Sequence, residues 1–438
     1  MKKIVLFAAL LFSAANLYAQ EPVSLSLEQC RSMALQTSEK VKRADIATQQ
    51  AELDKQVAFT GYLPNFKGSA STYYTFPDKM TQGMGMELLI HGVYMAGLTI
   101  EQPLYTGGKI INGNKEAALG VTMMKENQRL ERQKLLANLD NTYWSYVAVC
   151  DKVELTQAYA ALLDSLYNDE QARVKQQMQT EADLLRIDSR RSQTDYQMKK
   201  AINGMEICRM ALCHLIGLPL DTKVKATDAP LLEKEPETVT SGDITNRPEY
   251  ALLQQQVDMS KLDVKMARAD FLPTLGMGLG YNFYGNLKVN MSGQDAQGNP
   301  YSTSNKYSGN GGMVTLSLSI PIFHFGEGPK KIHRAKLAVE SKQLELEENT
   351  RLLNIEREQA FRNLSDSRSM ISSAKRAQDQ AEENLRITRL RFNESLCTLT
   401  DMLDAQTQWQ NAHSSLIEAQ TQYKINETTY RKAAGLLD

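Results

Sequence analysis

DLLRIDSRRSQTDYQMKKAINGMEICRMALCHLIG (183–217) and DMLDAQTQWQNAHSSLIEAQTQYKINETTYRKAAG (401–435) are one segment written twice, at a constant offset of 218 without a gap. Asp183 matches Asp401, Leu185 matches Leu403, Ala201 matches Ala419 and Gly217 matches Gly435. Working outward, Gln-Pro-Leu-Tyr (102–105) matches Ile-Pro-Ile-Phe (320–323) at the same offset. Tyr62-Leu63-Pro64 matches Phe271-Leu272-Pro273 at 209, so the second copy carries nine extra residues between these anchors. That period is too long for a solenoid repeat. It is the mark of a duplicated structural half.

Each copy reads helix, two strands, then two long helices. The first helices span about Leu27 to Thr60 and Arg247 to Asp270, each stopped by a Leu-Pro pair, because proline disfavours helix in the residue before it. Leu275, Met277, Leu279, Tyr281 and Phe283 alternate with small or polar residues, as do Val314, Leu316, Leu318 and Ile320. A period of two predicts strands with one apolar face. Phe66–Phe76 and Val93–Leu104 repeat the pattern more loosely. Tyr73, Tyr74, Phe76, Tyr281, Phe283 and Tyr284 fall near the expected strand ends, as a membrane-interface girdle or as ordinary sheet aromatics. The Gly-, Asn-, Ser- and Gln-rich stretch Gly285–Gly312 reads as a long solvated loop.

Two long helices follow, Lys109 to Tyr167 and onward to Ile216, each on the order of 70 to 90 Å. Their apolar residues step by four and three: Leu135, Leu139, Thr142, Tyr146, Val149 and Val153, then Leu184, Ile187, Arg191, Thr194, Met198 and Ala201. Met402, Ala405, Trp409, Ala412 and Leu416 repeat the series. A mean step of 3.5 sustained this long predicts coiled-coil packing between antiparallel helices. The organisation expected is a signal peptide at 1–19, a first repeat at 20–217, a connector at 218–245 and a second repeat at 246–438.

The signal reading rests on Lys2 and Lys3, the apolar run Ile4–Ala15 and the small-residue exit Leu17-Tyr18-Ala19. Cys30 lies too far on to be an N-terminal lipid anchor. Net charge is −1, which suggests neither a nucleic-acid partner nor electrostatic membrane binding. The five cysteines are expected reduced and mostly buried. No spacing around Cys213-His214 or His324 supports a metal site, no reactive set converges, and no cofactor is expected. Gly107-Gly108 reads as a turn. Four strands with a lipid-type face cannot close a barrel, whose smallest form has about eight. Open edges do not survive in lipid, so other copies must complete the sheet.

RFNESLCTLTDMLDAQ (391–406), with Ala412, Leu416, Ala419, Tyr423 and Ala433-Ala434-Gly435, resembles the C-terminal signature of the TolC family of outer-membrane efflux channels; residues 173–185 resemble its first-repeat equivalent. The resemblance covers essentially the whole chain after the signal. It implies a mainly α fold with membrane β: a homotrimer with a 12-stranded outer-membrane β-barrel, four strands per chain, continuous with a periplasmic α-helical coiled-coil barrel. It further implies a passive exit duct without catalytic chemistry, fed by an inner-membrane pump through a periplasmic adaptor. Drugs, metals and proteins stay open as cargo.

Asp401 and Asp404 share a helix face. Spacing alone leaves them a solvated face or, under three-fold symmetry, two stacked carboxylate rings of the kind that constrict a pore; they match the family's aperture acids, with Asp183 as the first-repeat partner. Arg186 stands opposite Asp404 in the repeat, so the second ring is not duplicated. Gln176, Gln177 and Met178, and Glu394, Ser395 and Leu396, match the tips where the adaptor docks. Gln177 and Ser395 stand where the family usually has glycine, so a change of turn shape is expected. Arg173 and Arg391 precede each turn, as partners of the aperture acids or as helix-end cations. Cys397 occupies the place of a basic latch residue. Against the channel stand a pore-free periplasmic coiled-coil adaptor or envelope protein, which would leave the lipid-type strands unexplained, and an exported enzyme, which lacks a reactive set.

Overall fold

A computed structural model describes residues 23–82, 86–177, 180–228, 243–294 and 297–437. The expected signal peptide, Met178 and half of the connector lie outside these residues. In chain order the elements are β1 (Val23–Leu25), α1 (Leu27–Thr37), α2 (Glu39–Thr60), β2 (Asn65–Gln82), β3 (Met86–Thr106), α3 (Lys109–Lys175), α4 (Glu181–Ile216) and β4 (Val224–Ala226). A 3-10 turn at Ile244–Asn246 leads to α5 (Pro248–Ala269), β5 (Thr274–Gln294), β6 (Pro300–Ser319), α6 (Glu327–Asn393) and α7 (Leu399–Ala433). The chain divides into two compact units, Met1–Ile46 with Lys125–Leu252 and Glu347–Asp438, and Ala47–Met124 with Leu253–Leu346. Each unit draws on both copies.

In the first unit the seven-residue pattern is the packing seam. Leu135, Leu139, Tyr146, Ile187, Thr194, Met402, Ala405 and Leu416 are buried, whereas Leu185, one step off the seam, is 64% exposed. Leu139, Tyr143 and Tyr146 of α3 pack with Cys30 and Ala34 of α1 and with Leu212, Cys213 and Ile216 of α4. Parallel pairing of β1 with β4 (Val23 opposite Val224) is tied to α3 by the Tyr143 and Tyr146 hydroxyls, which donate to the carbonyls of Leu25 (3.1 Å) and Val224 (2.5 Å). A second core holds Tyr159, Leu163, Leu166 and Ile187 of the first copy against Phe392, Leu399, Met402 and Leu403 of the second.

One ion-pair device is duplicated, with one partner of each pair buried. Arg31 donates to Asp140 at 2.9 and 2.5 Å, and Arg247, 2% exposed, donates to Glu356 at 2.9 Å; each pair spans 109 residues. Asp140, fully buried, also accepts from the Thr428 hydroxyl at 2.7 Å. Pairing and hydrogen bonding offset the cost of burying the Asp140 and Arg247 side chains.

The second unit contains a four-stranded antiparallel sheet in the order β2-β3-β5-β6. Tyr74 lies against Gly92, Tyr94 against Gly285 and Tyr284 against Gly309; a Cβ would collide with the tyrosine at Gly285 and Gly309 and crowd it at Gly92. At this level all three pairings shift register, at Tyr73/Tyr74, between Leu89 and Tyr94, and between Tyr284 and Leu287. Bulges sharpen the local twist, and ring-over-glycine contacts cover the thin spots.

Three expectations are corrected. The first helix is broken at Ser38, whose N–H donates to the Ala34 carbonyl while its hydroxyl accepts from Val41 N, ending α1 and starting α2. The stretch 285–312 is not a loop: β5 and β6 pair from Thr274↔Ser319 out to Gln294↔Pro300, so a polar hairpin replaces it. Backbone ladders do not require apolar side chains, and composition concealed this one. The longer strands also put Tyr73, Tyr281 and Tyr284 in mid-strand rather than at strand ends. Cys30 and Cys213 are buried, but Cys150, Cys208 and Cys397 only half-buried, so the expected majority is not met; all five are free thiols. Burial, with Asp228 and Cys213 adding to it, pushes the Cys30 thiol up to about 11. Among the described residues no helix is long and apolar enough to cross a membrane.

Candidate functional site

The α3–α4 and α6–α7 turns end the two helix hairpins of the first unit. α6 closes with a Schellman motif: Ser395 N donates to the Phe392 carbonyl (3.0 Å) and Leu396 N to that of Arg391 (2.7 Å). Gln177 N donates to the Val174 carbonyl in the same way (2.9 Å). Both pivots are left-handed, Gln177 at φ 60° and Ser395 at φ 57°. Both non-glycine residues thus hold a backbone conformation that glycine adopts without strain. Gln176, Gln177, Glu394, Ser395 and Leu396 are all exposed.

The next helices start on capping threonines. In α7 the Thr398 hydroxyl accepts from Asp401 N (3.2 Å), and Asp401 Oδ2 accepts from Thr398 N (2.9 Å) and its hydroxyl (2.7 Å), a complete capping box. The backbone hydrogen bond from Thr398, then that of its hydroxyl, holds the Asp401 carboxyl below the usual range, with Arg391 adding to it. In α4 the Thr180 hydroxyl likewise accepts from Asp183 N (3.3 Å) and donates to Asp183 Oδ2 (2.7 Å). Asp401 and Asp183 therefore have a local task in starting their helices. Asp404, one turn further along, is exposed.

Neither arginine forms an ion pair with Asp183, Asp401 or Asp404 among the described residues. Arg173 Nε lies 3.6 Å from Glu170 Oε1, and its guanidinium stacks 5.0 Å from the Phe392 ring centroid, joining the two hairpins. Arg391 donates weakly to the Leu396 carbonyl (3.4 Å). Cys397 Sγ lies 3.5 Å from the Thr388 carbonyl.

In the sequence Arg186 stands out without a contact assigned to it, and Glu170 does not stand out at all. Arg186 Nη1 reaches Thr400 Oγ1 (3.3 Å) and lies 4.0 Å from Asp183 Oδ1, so it bridges the two helix starts. Its mismatch with Asp404 was the available signal. Glu170 is 0% exposed, and neither carboxylate oxygen has a hydrogen-bond partner. Burial pushes its carboxyl up; Arg173 opposes this, while Asp183 and Asp169 add to it. In sequence it was one more charge beside a seam.

The chain thus holds two capped, acid-lined helix hairpins and a four-stranded sheet whose outer strands each pair with one neighbour among the described residues. Over residues 30–217 and 243–436 it matches the outer membrane efflux protein family, and it belongs to that family, the TolC-type outer-membrane channels. It is similar to the alkaline protease secretion protein AprF of Pseudomonas aeruginosa, 24% identical over 355 residues, 79% of this chain and 70% of that one. It is 27% identical to the outer membrane protein TolC of Escherichia coli over 194 residues, 43% of this chain and 38% of that one. Among solved structures, CusC superposes with a TM-score of 0.79 at 15% identity, covering 96% of this chain and 95% of that one. CmeC of Campylobacter jejuni gives 0.77 at 18% identity, covering 94% and 86%. The four-stranded sheet and mostly helical body are thus the TolC-type fold, and the chain is an outer-membrane efflux or secretion channel protein.

Proposed function

We propose that three copies form a passive exit duct, its β-barrel in the outer membrane and its helical hairpins in the periplasm. The observation that carries this is the open sheet: among the described residues β2 and β6 each pair with one neighbour only, and β6 exposes Val314, Leu316 and Leu318. An open edge is excluded from lipid, so β6 of one copy pairs with β2 of the next. The chain supplies no chemistry of its own; an inner-membrane pump delivers cargo through a periplasmic adaptor that docks at the exposed turns around Gln177 and Ser395. Residues 1–19 direct export, 20–217 and 246–438 are the two repeats, and 218–245 connects them. Asp401 and Asp404 form two carboxylate rings at the periplasmic aperture, with Asp183 beside them and Arg186 linking the helix starts.

Single-channel conductance in planar bilayers tests this, comparing wild type with Asp401→Asn/Asp404→Asn. Asparagine keeps an acceptor for the Thr398 cap, so the change is in charge rather than helix start. A cation-selective wild type that loses selectivity in the variant is expected. A pore with unchanged selectivity would move the constriction elsewhere, and a folded oligomer without conductance would sink the channel reading.

A further inference from the structure

We infer that the turn Ile320–Gly326, with the basic start of α6, is an anchor that sits in the phospholipid headgroup layer at the periplasmic edge of the barrel. The inference rests on the proposal that the sheet is a membrane wall. It begins from a strained residue. Phe325 is left-handed at φ 47°, and its first-copy counterpart at the same offset is Gly107, at φ 65°. Gly326 (φ 79°) likewise answers Gly108 (φ 89°), so the turn is the same and only the side chain differs. A bulky residue at positive φ is an outlier that a fold keeps for a reason.

Packing does not supply that reason, because Phe325 is 88% exposed. Beside it Ile322 is 90% and Phe323 70% exposed, and the Phe323 and Phe325 rings meet edge-on at 4.8 Å. An aromatic cluster held in a strained turn and left outside calls for an apolar covering.

Three observations make that covering a bilayer interface. First, the patch continues a stripe: Val314, Leu316, Leu318, Ile320 and Ile322 are all exposed at a period of two, and charged residues begin directly after it. Second, the height is right. Ser319 pairs with Thr274, and Gly309 with Tyr284 in the tyrosine band. Ten residues of strand rise about 34 Å, or about 26 Å at a tilt near 40°, against an apolar band about 25 Å tall in membrane barrels with aromatic girdles at both edges. Third, the charge is complementary. Lys330, Lys331, His333, Arg334 and Lys336 are exposed within seven residues. Lys331 is joined to the aromatics, lying 5.9 Å over the Phe271 ring, which meets His324 at 6.0 Å. Its ammonium also pairs with Glu327 at 2.6 Å. Lys330, Arg334 and Lys336 stand at the level of the anionic headgroup phosphates. The first copy has Lys109 after its turn and no comparable cluster, so the anchor belongs to the second copy alone.

The test is tryptophan quenching in proteoliposomes of phosphatidylcholine and phosphatidylglycerol, read as the signal added over the wild-type Trp144 and Trp409 background. Phe325→Trp is expected to be quenched at least two-fold more by phospholipid brominated near the headgroup than by phospholipid brominated deep in the chain, and to be shielded from aqueous iodide. Leu316→Trp is the reference and is expected to favour the deep bromines. Iodide quenching of Phe325→Trp beside a lipid-quenched Leu316→Trp would overturn the anchor and leave the barrel standing. Protection of Phe325→Trp from both quenchers would assign the patch to a second copy of the chain and equally overturn it. Absence of lipid quenching at Leu316→Trp would remove the barrel reading and the anchor with it. Ile322→Trp replaces Phe325→Trp if that variant fails to assemble, with the same readings.

Discussion

Four long helices of this chain end in the same left-handed turn, and the residues chosen for it divide them into two kinds. At Gly217 and Gly435 the pivot is glycine: a Cβ on Gly217 would stand 2.7 Å from Thr37 Cβ, and one on Gly435 would stand 3.1 Å from Asn246 Cβ. At Gln177 and Ser395 the pivot is exposed and carries a side chain. Glycine sits where both dihedral and space demand it; at the tips only the dihedral does, and the chain tolerates a cost on the order of 1 kcal/mol per residue. The packed ends are built for stability, and the tips hold strain together with side chains a partner can read.

Breaking the packed ends should have the largest effect. Gly217→Ala combines a left-handed dihedral with a clash against the Thr37 side chain at its Cβ, and a loss of about 2 to 4 kcal/mol is expected, read as a lowered Tm of the detergent-solubilised oligomer. Gly435→Ala meets a looser neighbour and should cost about half as much. An unchanged Tm in both would dissolve the distinction between the two kinds of end.

Next in size is the cap that follows a tip. Thr398→Ala removes the acceptor for Asp401 N and should cost about 1 kcal/mol, while Thr398→Ser restores it. Equal losses in both variants would point to the methyl group and not the cap.

Relieving the tips should change the sign. Gln177→Gly and Ser395→Gly are each expected to stabilise by about 0.5 kcal/mol, the relief of strain exceeding the added freedom of the unfolded chain. Destabilisation would show that these side chains support the turn.

The smallest effect is a slope. Glu170 lies two turns before Gln177, and its carboxyl is raised by burial, with Arg173 opposing and Asp183 and Asp169 adding. A raised carboxyl means the folded state holds the proton more tightly than the unfolded state, so stability falls as pH climbs from the ordinary glutamate range through the raised value. Glu170→Gln should therefore raise Tm at neutral pH and lose that gain near pH 4. A gain independent of pH would remove the titration from the argument.

The helical half of this fold was legible because a seam repeats: Ile187 and Thr194 stand three or four residues from their seam neighbours and are buried, while Leu185 is as apolar and faces out. The β5–β6 hairpin was not legible, because Lys288 opposite Lys306 and Ser292 opposite Ser302 leave no apolar alternation to read. The Ser38 break escaped because one serine hydroxyl decides it within an otherwise continuous helical pattern. At the tips, residue identities pointed to the turns and acids, but not to Glu170 or Arg186. Arg186 takes its role from Thr400 of the other copy, and Glu170 takes its role from being buried, neither of which periodicity within one segment records.

The duplicated Arg–carboxylate pairs carry a historical consequence. Each pair closes within its own copy, as expected if a half-length ancestor already owned that wiring. Thr428 then adds a hydroxyl from the second copy to Asp140 of the first, and the residue at its offset in the first copy is Met210, which has no hydroxyl to return the favour. A gene for the first half alone would encode the ion pair and lack its third ligand. Through that hydroxyl the first copy's ion pair leans on the second copy, one of the differences that keep the halves from being interchangeable.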